Sequence, residues 1–207
     1  MQYLIFFESL RQILQCKFCR YAALLSLLFA YPRCYNRCKA KQRCKMLYTA
    51  TATQNDLDEI VSIYRRAQDF MIETGNPHQW GRTHPSIDLI KQDIQNDVCT
   101  VVRDDSGIHG VFALICGDDP TYAHIDGKWL NNEKYVTIHR IASDGKVHGV
   151  FECALALCKT LSNNIRVDTH ADNLVMQSVI QKYGFEKCGI IYVADGSPRI
   201  AYHLAMP

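Results

Sequence analysis

Long apolar runs are missing from this chain. None of its 207 residues belongs to a stretch approaching the roughly 18 that a membrane-spanning helix needs, which excludes a polytopic membrane protein. Glycine (11) and proline (6) are too few for a collagen-like or largely disordered chain, while 48% hydrophobic and 21% charged residues fit a globular one. Several chemical signatures are absent too. There is no G-x-G-x-x-G, no G-x-x-x-x-G-K-[ST], no G-x-S-x-G and no H-E-x-x-H. Their absence removes the dinucleotide, P-loop, serine-hydrolase and zincin readings. The eight His residues are scattered without metal-ligand spacing.

Acids are almost absent from residues 1–45, which hold nine Lys and Arg against the single acid Glu8, a balance of +8. The remaining residues balance at −6. Cysteine is divided as well, with Cys16, Cys19, Cys34, Cys38 and Cys44 in the first piece and five in the rest. The chain therefore reads as two parts meeting near Met46. The apolar stretch from Tyr21 to Tyr31 has about the length of a signal peptide, but Pro32-Arg33-Cys34 and a basic tract follow it instead of a small-residue cleavage site. Cys16-x-x-Cys19 and Cys34-x-x-x-Cys38 have spacing loosely like a zinc ribbon. The stretch between them is apolar and aromatic where such a site carries a polar hairpin, so no metal is expected. The expectation is that residues 1–45 are an extension without function, with Met46 the biological start, and that residues 46–207 are one domain.

Within that domain the patterns are regular. Thr53 and Asp56 have capping-box spacing, and Leu57, Ile60, Val61, Tyr64, Ala67 and Met71 recur at helical intervals up to Gly75. A second helix is predicted from Ser86 to about Asn96. Val98–Arg103 and Ile108–Cys116 are β-rich runs joined by a turn at Asp104–Gly107, hence a hairpin. A polar loop holding Asp118, Asp119 and Trp129 follows. Tyr135–Ala142 reads as a strand, Gly149–Leu161 as a helix, Ile165–Thr169 as a strand, Asn173–Tyr183 as a helix, and Phe185–Val193 and Arg199–Leu204 as strands. The order β-α-α-β-β-β-α-β-α-β-β implies an α/β domain with a mixed central sheet covered by helices. Cys99, Cys116, Cys153, Cys158 and Cys188 lie in mostly apolar elements and read as buried thiols, as expected of a cytoplasmic protein.

Two segments carry the chemistry. In YVTIHRIASDGKVHGVF a strand runs through a short loop straight into a helix, a pattern that serves either as a plain turn or, through its unpaired N-terminal amides, as a phosphate site. In IRVDTHADNLVMQSVIQKYGFEKCGIIYVADGSPRIAYHL a strand bearing Asp168 and His170 leads to a helix opened by Asn173 and closed by Gly184-Phe185. Together, and with the upstream GNPHQW, these segments resemble the GCN5-related N-acetyltransferase superfamily over about residues 46–207. The IHRIAS and DTH–N–GF–DGSPRIAY matches are similar to one bacterial branch of it.

The resemblance implies a mixed sheet whose fourth and fifth strands splay apart around acetyl-CoA, and direct transfer of its acetyl group to an amine. The backbone at Ile141, Ala142 and Ser143 would pair with the pantetheine amides. The diphosphate would rest on Lys146, Val147, His148, Gly149 and Val150, where Lys146 replaces Gln or Arg and Phe151 replaces Gly or Ala of the family pattern. Asn173 matches an Asn that contacts the cofactor. Asp168 is the first candidate for the base that takes the ammonium proton, with His139 and His170 as competitors. The usual general acid is a Tyr seven residues after the Asn; here that position is Ile180. Trp80 and Trp129 are candidates for lining the acceptor side. The expected partners are acetyl-CoA and an amine-bearing small molecule or protein amino group, without nucleic acid or membrane and with a homodimer as one assembly. A catalytically silent acyl-CoA-binding module of the same fold is the alternative.

Overall fold

The computed structural model describes residues 46–207; the expectations for residues 1–45 lie outside it. Thr53 sets the first helix. Its amide and hydroxyl both donate to Asp56 Oδ2 at 2.8 Å, and one tight turn leads into α1 (Leu57–Glu73). Ile60, Ile63 and Tyr64 form its buried side. Gln68, which the apolar pattern passed over, is buried there too, because its amide donates to the His84 carbonyl at 2.8 Å. Helix α2 (Ile87–Gln95) starts where the Ser86 hydroxyl accepts from Leu89 N.

The strands are β1 (Tyr48–Thr51), β2 (Cys99–Asp104), β3 (Gly107–Cys116), β4 (Asp126–Gly127), β5 (Val136–Ser143), β6 (Asn164–Thr169), β7 (Glu186–Tyr192) and β8 (Pro198–Ala205). They form one sheet in the order β1-β2-β3-β5-β6-β8-β7-β4. Every pairing is antiparallel except β5 with β6. The strands expected as fourth and fifth are thus β5 and β6, because two-residue β4 sits in the loop between. Side-chain alternation divides two cores across the sheet. Val101 and Val111 join α1 and α2 on one face. Val102, Phe112, Val136 and Val167 join α3 (Val150–Leu161) and α4 (Leu174–Lys182) on the other. At about 1.5–3 kcal/mol for each large apolar side chain removed from water, these layers hold the sheet between the helices. A third cluster, Tyr122, Trp129, Tyr135, Ile191 and Ala201, lies under the loop that follows β3.

Cys99 and Cys158 are buried and Cys153 and Cys188 partly so, but Cys116 is exposed. It ends β3, where the chain leaves the sheet, so its apolar run did not imply burial there. No helix among the described residues is long and apolar enough to cross a membrane.

Candidate active site

Strands β5 and β6 pair at only two positions, Val136 with Ile165 and Thr137 with Arg166. Beyond Thr137 they diverge. On its other edge β5 carries a bulge against β3: Val111 faces Ala142 and Ala113 faces His139, so Arg140 and Ile141 together oppose Phe112. Arg140 sits there at φ 51°, a conformation unusual for a side-chain-bearing residue. The extra residue leaves one peptide unit out of the ladder and turns the strand. The Arg140 guanidinium secures the bend, its Nη2 donating to both oxygens of Asp93 at 2.9 and 3.1 Å.

Between the diverging strands opens a cleft of about 1050 Å³. Its walls include His139, Ile141, Ala142, Ser143, Val150, Asp168, Asn173 and Trp80. Gly145 and Val150 also belong to the wall, while Lys146, Val147, His148 and Gly149 between them lie just outside it.

Residues that alternate along neighbouring strands explain how the carboxylate and imidazole meet. Val167 and Ile138 turn to the α3–α4 core, so Asp168 and His139 turn to the opposite face. There His139 Nε2 donates to Asp119 Oδ2 at 2.6 Å, and its Nδ1 lies 3.8 Å from Asp168 Oδ1. The Tyr122 hydroxyl donates to Asp168 Oδ1 at 2.7 Å. Burial pushes the Tyr122 phenol well above its usual range, and the adjacent Asp168 carboxylate adds to the effect. Burial pulls Asp119 upward, but the His139 bond and the Thr121 amide outweigh it, leaving Asp119 below the ordinary carboxylate range. With Nε2 engaged by Asp119, Nδ1 is the ring nitrogen left on the side of Asp168. A proton taken up by either group therefore has the other next to it.

Asp119 and Tyr122 are functional residues that sequence reading missed. They stand in an irregular loop with no periodicity, and Asp118-Asp119-Pro120 was legible only as polar. Trp129 belongs to the same support and does not line the cleft. Its ring stacks on Tyr122 at 5.4 Å and its Nε1 donates to the Tyr122 carbonyl, while the buried Arg166 guanidinium sits over it at 4.0 Å. The aromatic cluster drew this large ring inward, against the expectation of an acceptor-side position. Arg166 and Arg140 thus have other partners, and Asp168 pairs with neither. His170 is turned to Asp172 instead, 3.4 Å from its carboxylate.

The loop after β5 is built to stay in place. Lys146 N donates to Asp144 Oδ1 at 2.9 Å and Gly145 N to Ser143 Oγ at 3.1 Å. Gly149 then caps α3 at φ 96°, which only glycine adopts without strain. The first amides of α3, at Val150, Phe151 and Glu152, have no helical acceptor and carry the positive end of its dipole. Phe151, the departure from the family pattern, does not block them; its ring packs against Tyr183 and Phe185 at 5.3 and 6.2 Å. Opposite, Asn173 Oδ1 accepts from Met176 N, and its amide donates to Gln79 Oε1 at 2.9 Å, tying α4 to the loop that carries Trp80. The Thr169 hydroxyl, fully buried in the cleft wall, has no hydrogen-bond partner.

Under the loop, His109 bridges two buried carboxylates: Nε2 lies 3.1 Å from Asp104 and Nδ1 3.0 Å from Asp144. Burial lowers the His109 pKa, but the bonds to Asp144 and Asp104 outweigh it and the imidazole is raised. Asp104 is lowered chiefly by the Ser106 hydroxyl, against burial, with the Ser106 amide and His109 adding to it. Asp144 is lowered because the Lys146 amide and His109 overcome its burial. The raised His109 contributes stability that is complete below its unfolded pKa of about 6.5 and lost as pH rises through the folded value. The lowered carboxylates contribute above about 3.9 and are lost as pH falls. Urea-unfolding midpoints measured across pH are expected to plateau between those limits and fall on both sides. In His109→Gln the alkaline fall disappears; its persistence would rule out this imidazole as the cause.

No protein-family model matches the chain, and no curated protein matches its sequence. Solved structures do. An acetyltransferase of the GNAT family from Streptococcus agalactiae is 29% identical with a TM-score of 0.70, over 78% of this chain and 96% of that one. A putative acetyltransferase from Staphylococcus aureus (23%, TM-score 0.57, 78% and 99% covered) and a GNAT-family acetyltransferase from Bacillus cereus (21%, 0.51, 78% and 99%) share the fold. With its splayed β5 and β6, the chain belongs to the GCN5-related N-acetyltransferase superfamily.

Proposed function

We propose that this protein is an acetyl-CoA-dependent N-acetyltransferase that moves the acetyl group directly to an amine. The observation that carries the reading is the gap between β5 and β6, closed at two residue pairs and open beyond them, with Asp168 and His139 on its wall. The residues present suit the cofactor. Ile141, Ala142 and Ser143 offer a strand edge beyond the last β5–β6 pair, in the manner of strand addition. The α3 amides suit a diphosphate.

When bound, acetyl-CoA supplies an activated thioester. The chain's part is to make the amine nucleophilic and to hold it. Asp168 takes the ammonium proton, directly or through one water, with His139 3.8 Å away and its ring fixed by Asp119. A backbone N–H at the β5 bulge is suited to polarise the carbonyl. Ile180 is fully buried and has no titratable group, Tyr183 faces Glu152 at 3.4 Å, and Tyr192 is tied to Asp126, which leaves solvent or a cleft His to protonate the departing thiolate.

The test is thiol release from acetyl-CoA with a panel of amines, alongside thermal unfolding with CoA. Release above the Asp168→Ala background together with a raised melting temperature is the expected result. The buried Ile180 favours the second reading, a silent acyl-CoA-binding module, which would give the thermal shift without release. Neither effect would end both readings.

A further inference from the structure

The acceptor end of the cleft holds a buried cation for which the reaction itself has no use. Arg199 is only 7% exposed and forms part of the wall. One nitrogen, Nη1, donates to Ser197 Oγ at 3.1 Å and to the Pro198 carbonyl at 3.0 Å. Among the described residues its other donors have no acceptor, and no carboxylate pairs with it directly. Asp195 feels its charge, but the Asp195 carboxylate is bonded to the Ser197 amide and hydroxyl and reaches Arg199 only through that hydroxyl. Arg140, by contrast, has a carboxylate partner, its Nη2 donating to both oxygens of Asp93. Nearby, burial first and then the cations Arg140 and Arg199 hold the His84 imidazole below its usual range, against the opposing pull of Asp195 and Asp93.

The sheet register places Arg199 relative to the base. Asp168 lies directly opposite Ala201, and Arg199 is two residues along β8 from Ala201, hence on the same face. Such diagonal neighbours are about 7–8 Å apart. Two long-reaching groups at that separation, one cationic and one proton-accepting, match the two ends of a small amino acid. A buried guanidinium without a carboxylate is costly unless a ligand supplies the anion.

Resting on the transferase reading, we propose that the acceptor carries a carboxylate as well as its amine, and that Arg199 is the residue that selects it. The amine then lies toward Asp168 and the carboxylate against the open side of the guanidinium fork.

Matched acceptors test this: phenylalanine against phenethylamine and lysine against cadaverine, followed by thiol release from acetyl-CoA. A charge-assisted bond to Arg199 is expected to favour the carboxylate-bearing member by about 10- to 150-fold in kcat/KM. Arg199→Gln should abolish the preference by raising KM for the amino acids, with the decarboxylated amines and the CoA-induced thermal shift little changed. Arg199→Lys, which keeps the charge without the fork, should retain part of the preference, and it serves in place of Arg199→Gln if that variant fails to fold. Equal or better use of the decarboxylated amines by the parent protein overturns the proposal and leaves the transferase reading intact, as does an unchanged ratio in the Arg199 variants. Absence of release with every amine overturns both.

Discussion

Asp168→Asn lowers kcat/KM for acetyl transfer by about 10²- to 10⁴-fold, the range a positioned general base contributes. The thermal shift on adding CoA stays as in the parent protein, because the amide keeps the volume of the carboxylate and the cofactor-side contacts are untouched. The drop is expected in kcat more than in KM, since the base acts as the amine attacks. Tyr122→Phe is the informative partner. It removes the 2.7 Å bond to Asp168 but leaves the ring stacked on Trp129, and a loss of about tenfold is expected from one charge-assisted hydrogen bond. Steady-state thiol release measures both. If Asp168→Asn keeps full activity while His139→Asn loses it, the imidazole is the primary base and Asp168 only orients it.

Gly110→Ala has the second large effect, on the fold and the cofactor together. A Cβ built on Gly110 collides with Val150 Cγ1 and comes within 3.2 Å of the Ala142 carbonyl. Val150 is the first residue of α3, so the side chain that must give way stands among the amides proposed to hold the diphosphate. Overpacking of this kind costs about 1–3 kcal/mol. For a domain of this size each kcal/mol lowers the melting temperature by about 2–4 °C. The CoA-induced shift is expected to shrink as well, because displaced amides bind the diphosphate less well. Adding Val150→Ala to Gly110→Ala opens the space again and should restore both quantities. Thermal unfolding of the two variants with and without CoA measures this. A lower melting temperature with a full CoA shift would show that the N-terminus of α3 takes no part in binding.

Much of the domain was legible locally because its signals are local. The Thr53–Asp56 box, the Ser86 cap and the three-and-four spacing of Ile60, Tyr64 and Ala67 placed α1 and α2 to within a residue or two. The hairpin turn between β2 and β3 was marked by Asp104-Asp105-Ser106-Gly107, since such residues favour turns wherever they occur. Two-residue β4 was not legible, because no periodicity exists over so short a span. Nor was the insertion of β8 between β6 and β7, which depends on pairing between distant segments.

The site divides in the same way. Asp168, His139, Asn173 and the Gly149 loop could be picked out because the resemblance assigns roles to their places at the ends of strands and helices. Asp119 and Tyr122 could not. They reach the cleft from an irregular loop, and only the packing of Trp129 and Tyr135 brings them to the face where Asp168 points. Arg199 looked like an ordinary strand residue until the register of β6 with β8 set it near Asp168 on the same face. By itself the chain's order of residues determined its helices, most of its strands and a short roster of candidate groups, since hydrogen bonds and side-chain periods act over a few residues. Which carboxylate meets which imidazole, and which cation is left without an anion, was decided by tertiary contacts between segments 20 to 46 residues apart, whose side-chain bonds no local pattern encodes.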